Sequence, residues 1–81
     1  MKTNDLKNGD VVLLRNGWKA TLRDNKKGNI RIAMVEGYCT EMGSIYSHDI
    51  TARFSNGSFI HDIEYTESQK KCLNLNKILF G

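Results

Sequence analysis

Residues 10–36, DVVLLRNGWKATLRDNKKGNIRIAMVE, decide the fold, because they read as three antiparallel strands joined by two turns. Asn16-Gly17 is the strongest short hairpin signal in the stretch. A type I′ turn needs positive φ at both central residues, which asparagine and glycine tolerate. Taken as a two-residue turn, it pairs Arg15 with Trp18, Leu13 with Ala20 and Val11 with Leu22 on one face. Leu14 with Lys19, Val12 with Thr21 and Asp10 with Arg23 then occupy the other. The next connection fits a five-residue loop, 24–28, which sets Ile30 opposite Leu22, Ile32 opposite Ala20 and Met34 opposite Trp18. Arg31 falls beside Thr21, pointing away from the core. A four-residue loop would bring Arg31 beside Leu22 and mix the faces, against the period of two. One face of the meander is expected to be core and the other basic.

Outward from this stretch, residues 1–7 are polar, with Leu6 alone suited to packing, and Asn8-Gly9-Asp10 turns the chain into the first strand. The pattern L-x-x-G-D-V-V at Leu6–Val12 resembles the start of small SH3-like barrels. Residues 37–49, GYCTEMGSIYSHD, lack clean periodicity. They are too polar for a buried strand and too rich in aromatic and hydroxyl groups for a bland linker. An ordered irregular segment is expected, because connections longer than about 12 residues are usually functional or disordered. A second hairpin turns on Asn56-Gly57, pairing Phe54 with Phe59, Ala52 with His61 and Ile50 with Ile63 as a core face, with Arg53, Ile60, Thr51 and Asp62 outside. Thr66-Glu67-Ser68-Gln69 is a capping box that opens a helix over about 66–78. Cys72, Leu75 and Leu79, broadened by Leu73 and Phe80, form its apolar stripe. The expected fold is mainly β: a small SH3-like, strongly bent meander of about five strands with one C-terminal helix, in a single domain covering 1–81.

Eighty-one residues leave no room for a second core. No apolar run approaches the roughly 20 residues of a membrane span, and no charged-then-apolar leader opens the chain, so the expected compartment is the cytosol. Cys39 and Cys72 fit no metal spacing and are read as free thiols. The net charge of +3 favours an anionic partner such as phosphate or nucleic acid, with a merely solubilising surface as the alternative.

The charge distribution says more than the total. Lys19, Arg23 and Arg31 are expected on the outer face, with Lys26 and Lys27 at the tip of the adjoining loop. Paired strands bring such side chains within about 5–8 Å, where mutual repulsion is relieved by a bound anion. Residues 24–29, DNKKGN, suit a backbone nest around a phosphate, or a plain hairpin loop. Trp18 beside Arg15 reads either as a core-edge ring under a guanidinium or as a stacking platform for a base. Thr40, Glu41, Ser44, Tyr46, His48 and Asp49 gather donors, acceptors and an aromatic ring that suit a base edge or a ribose, or the segment's own backbone. His48-Asp49 and His61-Asp62 are bare dipeptides without further metal ligands, His61 reads as a core histidine, and no catalytic set, metal site or cofactor site is expected.

RNGWKA at 15–20, DNKKGN at 24–29 and TEMGSIYSHDI at 40–50 resemble small phage and prophage accessory proteins, a likeness that runs over roughly residues 8–70. The resemblance implies a host-defence antagonist acting in the cytoplasm of the infected cell. One class of these consists of β-rich oligomers that sequester nucleotide immune signals such as cyclic oligonucleotides or ADP-ribose derivatives. Another class binds nucleic acid or a host protein. The sequence therefore points to a non-enzymatic protein binding a nucleotide-type small molecule, with a nucleic-acid-binding module or a protein-binding inhibitor as alternatives. The exposed sheet edges and the apolar C-terminal run lead us to expect a homo-oligomer with its ligand near a subunit boundary.

Overall fold

The structure, a computed structural model, describes residues 1–80, with side chains described as far as Leu75. A short 3-10 turn at Thr3–Asp5 leads into β1 (Val11–Leu14), β2 (Lys19–Leu22), β3 (Ile30–Glu36) and β4 (Thr40–Tyr46). A second 3-10 turn, Ser47–Asp49, delivers the chain to β5 (Ile50–Ser55) and β6 (Ser58–Ile60), and α1 (Glu67–Phe80) closes the sequence. All strands are antiparallel in one sheet of order β4-β3-β2-β1-β5-β6. The expected mainly-β fold with a C-terminal helix is what forms, with six strands in place of five, without closure into a barrel, and not as a simple meander, because β5 pairs with β1 and not with β4. The added strand is β4. Residues 40–46 are not irregular but an exposed edge strand, and their polarity reflects that one-sided solvation.

Both expected registers in the first half are corrected. β1 and β2 pair Val11 with Thr21, Val12 with Ala20 and Leu13 with Lys19. Gly17 N–H donates to the Leu14 carbonyl at 2.9 Å and Leu14 N–H to the Trp18 carbonyl at 2.7 Å. Gly17 has φ +91° whereas Asn16 keeps a negative φ. The turn is thus a three-residue loop ending in a left-handed glycine, not type I′. The Asn16 side-chain oxygen accepts the Trp18 N–H at 3.0 Å, which fixes this form. The one-residue shift puts Val12 and Leu14 on the same side as Ala20 and Leu22, and all four are buried. Asn56-Gly57, by contrast, does make the two-residue turn, with φ +52° and +85° and Phe54 opposite Phe59 as expected.

The β2–β3 register pairs Thr21 with Met34 and Leu22 with Ala33, so Met34 does not neighbour Trp18. Ala33 is buried and Val35 packs at the core margin, while Ile30 is 53% exposed on the outer face. Arg31, expected outside, is 1% exposed, on the side opposite Ile32. Its Nε donates to Asp24 Oδ1 at 2.7 Å, and Nη2 donates to the Leu6 carbonyl at 2.8 Å and the Asp24 carbonyl at 2.9 Å. Nη1 reaches the Thr3 carbonyl at 3.2 Å.

The core proper comprises Leu6, Val12, Leu14, Ala20, Leu22, Ala33, Ile45 and Ile50. Each of its large aliphatic side chains contributes about 1.5–3 kcal/mol by leaving water. A bulge between Leu13 and Leu14, which skips Thr51, bends the β1–β5 pair. Phe54 and Phe59 meet edge to face at 5.3 Å, but Phe54 is exposed, and His61 lies beyond the end of β6 in solvent and not in the core. Arg53 and Asp62 join that hairpin through two 2.9 Å hydrogen bonds.

The capping box forms as read. Thr66 Oγ1 accepts the Gln69 N–H at 3.2 Å and Gln69 Oε1 accepts the Thr66 N–H at 3.0 Å. Gln69, fully buried, also accepts the Thr3 hydroxyl at 2.8 Å and donates Nε2 to the Gly28 carbonyl at 3.0 Å. Leu75 of the expected apolar stripe is 56% exposed, and the side chains of Ile78, Leu79 and Phe80 lie outside those described. Cys39 and Cys72 are free thiols. No helix among the described residues is long and apolar enough to cross a membrane.

Burial alone would raise the Asp24 pKa. The Ile32 N–H, the Arg31 guanidinium and the Lys26 N–H outweigh it and hold the carboxyl below its ordinary 3.8. A folded pKa below the unfolded one means that this stabilisation is complete above about pH 4 and is lost as pH falls through the folded value. Asp24→Ala, which orphans the buried guanidinium, is expected to cost about 3–5 kcal/mol in urea unfolding at neutral pH. Asp24→Asn is expected to show a shallower loss of stability between pH 4 and lower pH than the parent.

Candidate functional site

The three-residue loop after β1 releases Arg15 from the strand ladder and sends it toward the 3-10 turn at Ser47–Asp49. Its backbone N–H donates to the Asp49 carbonyl at 2.8 Å. Its Nη2 donates to the His48 carbonyl at 2.7 Å and lies 3.5 Å from the Tyr65 hydroxyl, which itself donates to the Ile50 carbonyl at 2.6 Å. Nε stands 3.7 Å from Asp49 Oδ1. The guanidinium is about half exposed despite these contacts, so one side is held by the turn and the other faces water.

That open side forms one wall of a groove of about 390 Å³ lined by Leu14, Arg15, Asn16, Ser44, Ile45, Tyr46 and Asp49. Leu14 and Ile45 give it an apolar floor, continuous with the core. Tyr46, 56% exposed, is stacked on the buried His48 ring at 5.1 Å and 24° between planes. Its position is therefore braced from within while an accessible surface remains. A cation, a carboxylate, a hydroxyl, a carboxamide and a braced ring around an apolar floor suit a small planar ligand with an anionic group.

Of the side chains singled out in the sequence, Arg15, Ser44, Tyr46 and Asp49 come together here, with His48 directly behind. The others do not. Thr40 and Glu41 lie at the far end of β4, opposite Glu36 and Val35. Lys19 and Arg23 are exposed on and just beyond β2, and Lys26 and Lys27 on the following loop. Lys27 borders a separate groove that is also lined by Asp5, Asp10 and Lys7. With Arg31 buried against Asp24, the five-cation outer face does not form. Nor does the 24–29 loop offer an empty nest. Gly28 N–H donates to Asn4 Oδ1 at 2.9 Å, and the Ile32 and Lys26 N–H groups serve the chain's own Asp24 carboxylate.

Trp18 is not stacked on Arg15. Its ring meets Tyr38 edge-on at 5.5 Å and lies so close over Gly37 that a Cβ there would fall 2.5 Å from a ring carbon. Leu14, Asn16, Ile45 and Tyr65 are the site's residues that sequence reasoning missed. Ile45, a lone aliphatic in a polar run, was the available signal; Tyr65 had none. Among the described residues no cluster of three or more His, Cys, Asp or Glu side chains is placed to hold a metal ion.

Compared with known proteins, the chain matches no family model, no curated protein and no solved structure.

Gly37→Ala is expected to displace the Trp18 ring, red-shifting the emission of the chain's one tryptophan and costing about 1–3 kcal/mol, as overpacking does. Gly43→Ala, where an added Cβ meets nothing within 4 Å, is expected to change neither.

Proposed function

We propose that the protein is a non-enzymatic binding module that captures a phosphate-bearing, nucleotide-type small molecule in the Arg15–Tyr46 groove. The convergence of Arg15, Ser44, Tyr46 and Asp49 from two separate segments on one open groove carries this reading. The half-exposed guanidinium, with Nη2 and Nε turned to the 47–49 turn and Tyr65, keeps Nη1 for a charge-assisted hydrogen bond to a phosphate. The braced Tyr46 ring receives the base, and the Ser44 hydroxyl and Asp49 carboxylate stand where sugar hydroxyls or base edges need an acceptor. In the setting that the phage likeness implies, such capture removes a nucleotide immune signal from the infected cell's cytoplasm and needs no turnover.

Binding along a nucleic-acid strand is the weaker reading. A polymer calls for a continuous cationic track, and Arg31, the centre of the expected one, is buried and ion-paired.

The direct test is mass spectrometry of small molecules released from the purified protein after incubation with a nucleotide extract, followed by calorimetric titration of the compound found. Tyr46→Ala is expected to weaken binding by roughly 1–3 kcal/mol, the value of stacking one base. Arg15→Ala is expected to lose at least tenfold, about 1.4 kcal/mol. Affinity should change only shallowly with salt, since a pocketed ligand has few phosphate contacts. Retention of nothing from the extract, or parental affinity in both variants, would remove the groove as the ligand site.

A further inference from the structure

Strand β4 is a seven-residue edge, and among the described residues no strand pairs with its outer side. Which of its backbone groups face outward follows from the ladder. The Ser47 N–H donates to the Asn29 carbonyl at 2.8 Å and the Gly37 N–H to the Cys39 carbonyl at 3.2 Å, both in the register that pairs Gly43 with Ala33. Hydrogen-bonded pairs alternate along an antiparallel ladder. Glu41, Gly43 and Ile45 therefore bond to β3, and the N–H and C=O groups of Thr40, Met42, Ser44 and Tyr46 point out of the free edge. A proline, a lysine and a bulge, three common protections of such an edge, are absent from TEMGSIY, whose one charge is Glu41 on the Ile45 side of the strand.

We propose that β4 is a dimerisation edge, pairing antiparallel with β4 of a second copy about a two-fold axis through Gly43. The strand's own sequence selects this partner and this register. With Gly43 on the axis, Thr40 lies opposite the partner's Tyr46 and Met42 opposite the partner's Ser44, so every outward-facing residue of one strand meets an outward-facing residue of the other. The only charge, Glu41, falls opposite the partner's Ile45. Moving the axis to Glu41 would set that carboxylate against the partner's Glu41, which is unfavourable. Gly43 occupies the non-hydrogen-bonded pair, where two Cα atoms approach to about 4.5 Å. Met42, 56% exposed, becomes the diagonal neighbour of the partner's Tyr46 ring, itself 56% exposed, a contact that thioether and aromatic groups favour. The pairing also brings the partner's Thr40 and Glu41 beside Tyr46 and Ile45, two residues of the groove wall. It stands independently of what that groove holds.

Cysteine cross-linking tests the geometry. Gly43→Cys in a Cys39→Ser, Cys72→Ser background adds a side chain into open space, so the monomer fold is kept. Under mild oxidation it is expected to form a disulfide-linked dimer at low protein concentration, whereas Ser58→Cys on the other edge strand is not. Sedimentation equilibrium of the unmodified chain is expected to show reversible monomer–dimer exchange, abolished by Met42→Pro, which removes an outward N–H without breaking the β3 ladder. Circular dichroism and a thermal melt establish that the Met42→Pro monomer is folded; Met42→Lys replaces it if it is not. A mass of 9.2 kDa at every concentration, or equal cross-linking of the two cysteine variants, would overturn the proposal.

Discussion

The buried guanidinium of Arg31 is the constraint from which the rest of the fold follows. A charge taken out of water is tolerable only when it is paired and its donors are used. Arg31 meets that condition with Asp24 from the loop before it and with the carbonyls of Thr3 and Leu6 from the chain's first turn. One side chain thereby fixes three things: the β3 register, the length of the β2–β3 loop, and the path of an N-terminal segment whose isolated bridge, Lys2 with Glu64, lies outside the strands of the sheet. Thr3 then anchors Gln69, and Gln69 anchors Gly28, so α1 is attached to the same junction. Ser47 closes the circuit, its hydroxyl donating to the Gly28 carbonyl at 2.6 Å.

Hydrophobic alternation alone chooses the other register for β3, because Ile30, Ile32 and Met34 outweigh Ala33 and Val35. The inner side of this small sheet already carries the large side chains of Leu6, Leu14, Leu22, Ile45 and Ile50. Alanine suits the positions facing this group, and overpacking costs about 1–3 kcal/mol per misfit. The larger side chains of β3 therefore go to the outer face, and the arginine takes the inner position where carbonyls await it. Period-two arithmetic weighs polarity and has no access to curvature or to partners far away in sequence.

Local signals were legible where the relevant partner is also local. The Thr66–Gln69 box and the Asn56-Gly57 turn each involve groups within three residues, and both formed as read. Asn16-Gly17 is the same dipeptide with another outcome. Its asparagine oxygen is taken by Trp18 N–H, and the core requires Val12 and Leu14 to share a face with Ala20. The candidate site was legible as a set of residue types, since four of its members were named from sequence. Its location was not, because the groove exists only once a three-residue loop has turned Arg15 toward β4, three positions away from β1 in the sheet.

The same curvature leaves β4 with three roles at once. Its inward residue Ile45 belongs to the core, its outward residues Ser44 and Tyr46 to the groove, and its free backbone to the sheet edge. In a chain this short, the surface that cannot be buried within one copy is the surface available for recognition. The proposed small-molecule capture and the proposed self-association would thus draw on a single strand. A substitution in β4 that changes one is expected to reach the other through backbone both would share, while Arg31, opposite Ile45 on β3, holds the adjoining strand in place.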